Sequence, residues 1–132
     1  CENGRYKVHD RVFKEAHNNK YGTLSVKEII KNSSNIGCIK IGEKLGKKKL
    51  SYYLEKFNFG IKTDIGLSGE PKGIVPSLKE ITPVRLSTIS FGQGISLNAV
   101  QITNAFCAVV NGGNLLKPRL IKRIINEDNE TV

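Results

Sequence analysis

Six residues, Asn32-Ser33-Ser34-Asn35-Ile36-Gly37, interrupt two apolar-periodic runs with a cluster of small polar side chains. This break constrains the fold more than any other stretch. Before it, Ser25-Val26-Lys27-Glu28 has the S-x-x-E form of a capping box and opens a short helix over 25–31. After it, Ile36, Cys38, Ile39, Ile41 and Leu45 predict a second helix over 36–46. The cluster is then a tight helix–helix connection. With a locally extended backbone, Ser33 and Asn35 would share a face and set a hydroxyl beside a carboxamide. Such a pair can relay a proton and hydrogen-bond in both directions. Ser34 or Asn35 can also simply cap the second helix, for which both residue types are favoured.

A third helix is predicted over 47–57, where Leu50, Tyr53, Leu54 and Phe57 recur at the spacing of a buried stripe, with Gly60 as its stop. Upstream, alternation in Arg5-Tyr6-Lys7-Val8 and Arg11-Val12-Phe13 suits a short hairpin. Residues 61–86, rich in Gly and Pro, read as a loop with room for a small hairpin. Ser96 then caps the clearest helix, whose Ala99, Ile102, Ala105, Phe106, Val109 and Val110 form one wide face and make it the expected core; Asn111-Gly112-Gly113 ends it. Residues 118–125 read as a strand, followed by a hairpin turn at Asn126-Glu127-Asp128-Asn129 and a partner strand running to Val132.

With 132 residues and 39% hydrophobic side chains, the chain has the length and composition of one soluble globular domain. No apolar run is long enough to span a bilayer and no signal-peptide pattern opens the chain. The opening without Met reads as a chain excised from a longer one. A net charge of +9 raises a nucleic-acid or membrane-surface reading. Lysine outnumbers arginine, however, and the one real cluster, Lys47-Lys48-Lys49, lies where a helix surface would be solvated. Abundant Lys, Asn and Ile together read as a biased coding composition, the favoured reading of the charge.

Three cysteines and two histidines form no metal spacing, and no C-x-x-C occurs. Cys38 and Cys107 are expected as small buried hydrophobes, and His9 and His17 as ordinary surface or packed side chains. Gly37 to Lys44 superficially resembles a phosphate loop. There, Glu43 separates the second glycine from the lysine and no Ser or Thr follows. Gly92-Gln93-Gly94 is a lone G-x-G. Asn32-Ser33-Ser34 and Asn129-Glu130-Thr131 match the N-glycosylation acceptor, a pattern common by chance.

One ordered set of segments remains. Cys1-Glu2-Asn3-Gly4 and Glu15-Ala16-His17 precede Thr23-Leu24-Ser25-Val26 and the run Lys31-Asn32-Ser33-Ser34-Asn35-Ile36-Gly37. Phe57-Asn58-Phe59-Gly60 and Leu67-Ser68-Gly69-Glu70 follow, then Ser90-Phe91-Gly92-Gln93-Gly94-Ile95-Ser96 through Gln101, and Asn111-Gly112-Gly113. In that order they resemble the transpeptidase domain of class B penicillin-binding proteins. The resemblance implies a parent of the α/β, serine β-lactamase-like fold, of which this part is mainly α-helical with a short β-hairpin or strands at its ends. It implies an enzyme that cross-links peptidoglycan stem peptides through an acyl-enzyme and is trapped by β-lactams, with no metal or organic cofactor. The implied location is the extracytoplasmic or periplasmic face of the membrane, with a transmembrane anchor outside this chain.

The family works with three motifs, S-x-x-K, S-x-N and K-T-G. Ser33-Ser34-Asn35 supplies the middle one. No serine in the chain is followed three places later by lysine, Ser77-Leu78-Lys79-Glu80 coming nearest, and Lys62-Thr63-Asp64 is not K-T-G. Residues 1–132 are thus expected to be a partial transpeptidase domain lacking the S-x-x-K helix and the K-T-G strand, and inactive alone. By resemblance, Ser33 would hydrogen-bond the missing lysine and help pass the proton to the departing D-alanine, and Asn35 would hold that lysine and the substrate backbone. The resemblance also implies proteins of a cell-wall synthesis complex as partners of the parent, and nucleic acid is not expected. The alternatives are a non-catalytic helical binding or scaffold module of the same fold and, last, a nucleic-acid binder with a steep salt dependence.

Overall fold

The computed structural model describes residues 1–127. A 3-10 turn at Glu2–Gly4 leads into an antiparallel hairpin of β1 (Arg5–Val8) and β2 (Arg11–Lys14), with Arg5 opposite Lys14 and Val8 opposite Arg11. A second 3-10 turn at Ala16–Asn18 precedes α1 (Val26–Lys31), α2 (Asn35–Leu45) and α3 (Lys47–Lys56). A long connection, with a 3-10 turn at Leu78–Glu80, reaches α4 (Pro83–Ser90) and then α5 (Ala99–Val110). Among the described residues no helix is long and apolar enough to cross a membrane.

The core forms where α2 packs on α4 and the hairpin. Ile36 and Ile39 of α2 are fully buried, each worth roughly 1.5–3 kcal/mol relative to exposure. Val8, Phe13 and Ile39 make one cluster, closed by Tyr6, Val84 and Phe91, and the Phe13 and Phe91 rings meet edge to face at 5.9 Å. Ile81, Leu86 and Ile89 make a second cluster with Leu50 of α3. The α2–α4 approach is close enough to require glycine: a Cβ at position 42 would lie 1.8 Å from Ser90 Oγ. The glycines that mimic a phosphate loop are therefore packing positions, Gly37 lying against Ile29 and Gly42 against Ser90.

Several expectations change. α4 falls partly in the stretch read as a loop, although Thr82 caps it by accepting from Arg85 N and Pro83 occupies its first turn, both start signals. The cap of α5 is Asn98, not Ser96; Asn98 and Gln101 form a capping box. Nor is the wide apolar face of α5 a core face, since Ile102, Phe106, Val109 and Val110 are exposed. Gln101 and Ala108 are its buried residues. Gln101 is held there by its amide, which donates to Ile61 O at 2.7 Å and Lys72 O at 3.0 Å. In α3 the expected stripe buries Leu54 but leaves Tyr53 exposed. Cys38 is half-buried and Cys107 exposed, not buried as their helix faces suggested. Residues 118–125 form no strand among the described residues; the turn expected at 126–129 extends beyond them, and the partner strand after it lies outside them, as does Asn129.

The hairpin, the capping box on α1 and the solvated Lys47-Lys48-Lys49 run are present as read from sequence.

Candidate active site

Helix α1 begins where Ser25 Oγ accepts from Glu28 N at 3.3 Å while the Glu28 carboxylate takes Ser25 N at 2.7 Å. It ends within six residues, and its end shapes the polar cluster. Ser33 N donates to Ile30 O at 3.1 Å and Ser34 N to Ile29 O at 3.0 Å. These are the paired 5→2 and 6→1 bonds of a Schellman motif, with Asn32 as C-cap and Ser33 at the left-handed position usually given to glycine. Ser33 has φ 49°, which an L-residue adopts at a cost. The backbone is therefore not extended here, and Ser33 and Asn35 do not alternate as strand neighbours. Asn35 is already the first residue of α2.

Ser34, fully buried, is the cap of α2, as one of the two cap assignments required; its Oγ accepts from Gly37 N at 3.0 Å. The same hydroxyl donates to Glu15 Oε1 at 2.6 Å. Glu15 Oε2 accepts Asn35 N at 2.7 Å, and Asn35 Nδ2 donates to Lys14 O at 3.1 Å. Ser33, by contrast, is exposed, and its hydroxyl bonds to nothing among the described residues. Two successive serines thus have opposite situations: one locked inside, the other held out by a strained backbone.

The remaining sequence candidates lie elsewhere. Lys62-Thr63-Asp64 is in a loop closed by Glu70, whose carboxylate accepts from Thr63 N and Thr63 Oγ1, both at 2.8 Å, and from Asp64 N at 3.2 Å. These bonds, the Thr63 amide first, hold the Glu70 carboxyl below the ordinary glutamate range. Burial, then the charge of Glu15, pushes the Cys38 thiol up, keeping it protonated and a poor nucleophile. His9 and His17 are exposed, and no group of three His, Cys, Asp or Glu among the described residues is placed to hold a metal ion. A cleft of about 570 Å³ opens beside α1 and α2, lined by Leu24, Ile29, Gly37 and Lys40 among others; neither Ser33 nor Asn35 lines it.

Sequence reasoning missed Glu15. Its signal was a single acidic residue just after the second strand, 19 residues from its partner, and spacing cannot reveal a pairing at that range.

A family model of the penicillin-binding protein transpeptidase domain matches residues 1–132. Stage V sporulation protein D of Bacillus subtilis is 42% identical over 106 residues, covering 80% of this chain and 16% of that protein. The peptidoglycan D,D-transpeptidase FtsI of Buchnera aphidicola is 31% identical over 101 residues, covering 76% of this chain and 18% of that protein. The chain therefore spans less than a fifth of the length of either relative. Penicillin binding protein 3 of Mycobacterium tuberculosis, solved in complex with ampicillin, superposes with a TM-score of 0.89 at 26% identity, over 98% of this chain and 28% of that one. The ordered set of segments, the whole-length family match and the shared fold agree: this chain belongs to the penicillin-binding protein transpeptidase domain family.

Proposed function

We propose that this chain is the S-x-N-bearing helical part of a peptidoglycan D,D-transpeptidase, with Ser33 and Asn35 in the reaction centre. The single observation that carries the reading is the presentation of Ser33. A serine occupies a left-handed position that glycine would fill at lower cost, and its hydroxyl is exposed with no protein partner among the described residues. Other non-glycine residues, His9 and Asn58 among them, share a left-handed φ; at Ser33 it coincides with an exposed hydroxyl, unpartnered among the described residues, one residue from the pair Ser34 and Asn35 that Glu15 holds.

The chemistry then follows from what each group can do. A serine of an S-x-x-K motif, elsewhere in the polypeptide, attacks the D-alanyl-D-alanine carbonyl, forming an ester and expelling D-alanine. The departing amine needs a proton, and the Ser33 hydroxyl, hydrogen-bonded to the lysine of that motif, passes it on. Asn35 has one amide N–H committed to Lys14 O. That fixes the amide plane and leaves its carbonyl oxygen and second N–H to hold the lysine and the substrate backbone. The amine of a second stem peptide resolves the ester. A β-lactam follows the first half of this course and stays attached.

On this reading the polypeptide works at the extracytoplasmic face of the membrane, anchored by a segment outside these residues. Residues 1–132 alone take up no penicillin.

The test is acylation of the full-length polypeptide by a labelled penicillin. Wild type is expected to form one covalent adduct per chain. Asn35→Ala should fold and react about a hundred- to a thousandfold more slowly, as when one preorganised donor is removed. Wild-type rates in a folded Asn35→Ala variant would remove this loop from the reaction centre.

A further inference from the structure

We propose that Glu15 is the positioning residue of the S-x-N loop, acting on the reaction through Asn35; this rests on the function proposed above. The carboxylate lies one residue beyond β2 and is 5% exposed. A buried carboxylate is costly unless its oxygens are hydrogen-bonded. Both are satisfied here, and both by the motif: Oε1 by the Ser34 hydroxyl at 2.6 Å, Oε2 by the Asn35 amide N–H at 2.7 Å. These are charge-assisted bonds of short length. They lie at the N-terminal end of α2, an 11-residue helix whose first amide groups have no partner within the helix and whose dipole favours an anion there.

The consequence reaches each member of the motif. Ser34 Oγ donates to Glu15 Oε1 at 2.6 Å, its shorter contact beside Cys1 Sγ at 3.4 Å, and receives Gly37 N at 3.0 Å. Its hydroxyl is therefore committed to structure, and Ser33 is left as the hydroxyl offered to solvent. Asn35 is gripped twice by consecutive residues, its backbone N–H by Glu15 and its side-chain amide by Lys14 O at 3.1 Å. Lys14 is the last residue of β2, paired with Arg5, and Glu15 N donates to Gly4 O at 3.3 Å, just before β1. Glu15 thus transmits the rigidity of the hairpin to the amide that must meet substrate.

The full-length polypeptide and a labelled penicillin test this, with acylation rates and unfolding transitions of Glu15→Gln, Glu15→Asp, Asn35→Ala and the double variant Glu15→Gln/Asn35→Ala. Glu15→Gln keeps the shape but offers a donor where Asn35 N–H or the Ser34 proton needs an acceptor. It should lower the limiting acylation rate by roughly tenfold or more, toward the hundredfold that a 1 Å misplacement can cost. The final stoichiometry should stay at one label per chain. Glu15→Asp, one methylene short but charged, should recover part of the rate.

The double variant decides between positioning and general stability. If Glu15 works through Asn35, the double variant reacts no more slowly than Asn35→Ala alone. Multiplying effects, or a folded Glu15→Gln at the wild-type rate, would overturn the assignment. If Glu15→Gln does not fold, Glu15→Asp takes its place in the cycle: non-multiplying effects support the assignment, and multiplying effects or a wild-type rate overturn it. Absence of any adduct on wild type would instead overturn the proposed function, and this inference with it.

Discussion

Replacing Ser33 by glycine should make the protein more stable and less active. Ser33 sits at φ 49° as the residue after the α1 C-cap. A left-handed conformation costs an L-residue about 1–2 kcal/mol, a cost glycine does not bear. Against this, glycine adds freedom to the unfolded chain, about 0.4–1 kcal/mol. The Ser33 hydroxyl makes no hydrogen bond among the described residues and the side chain is exposed, so removing it loses little packing. The net gain is about 0.5–1 kcal/mol. Ser33→Ala is the control, because it deletes the hydroxyl and keeps the Cβ that makes the conformation costly. Urea unfolding of wild type, Ser33→Ala and Ser33→Gly should therefore rank glycine highest, with alanine close to wild type. Both variants should lose penicillin acylation together, since both lack the hydroxyl. A Ser33→Gly midpoint at or below that of Ser33→Ala would refute the strain argument, and with it the observation on which the proposed function rests.

The other expectations concern hydrogen bonds around loops and caps. Ser25→Ala removes the acceptor for Glu28 N and should cost about 1 kcal/mol, a large share for a six-residue helix; an unchanged unfolding midpoint would count against the cap. Glu70, held by Thr63, Asp64 and Asn98, has its carboxyl lowered in the folded state, so its contribution is fully present above the unfolded glutamate value of about 4.3 and is lost as pH falls through the lower folded value. The stability difference between wild type and Glu70→Gln should accordingly shrink on acidification from neutral pH to about pH 3; a constant difference would show that Glu70 does not hold this loop through its charge.

The site was half legible in the chain. The Ser33-Ser34-Asn35 cluster announced itself because small polar residues between two apolar-periodic runs must end one helix and start another. The choice of cap was also local, a matter of which hydroxyl lies three residues before an amide N–H. What spacing could not supply was orientation. An extended backbone would have paired Ser33 with Asn35 on one face, and the Schellman ending of α1 instead turns Ser33 outward and makes Asn35 helical.

By itself the sequence determined what is settled within a few residues: the β1–β2 hairpin, the Ser25–Glu28 box, the break at 32–35 and the solvated lysines of α3. Tertiary structure alone decided which apolar faces are covered. The periodicity of α5 marks a hydrophobic face, but only packing could show that Gln101 is buried while Phe106 is 69% exposed. It also decided the α2–α4 contact at Gly42 and the pairing of Glu15 with Ser34. Periodicity records the direction of a side chain relative to its own helix axis; what that side chain meets depends on chain segments brought together across tens of residues, and no local pattern encodes that meeting.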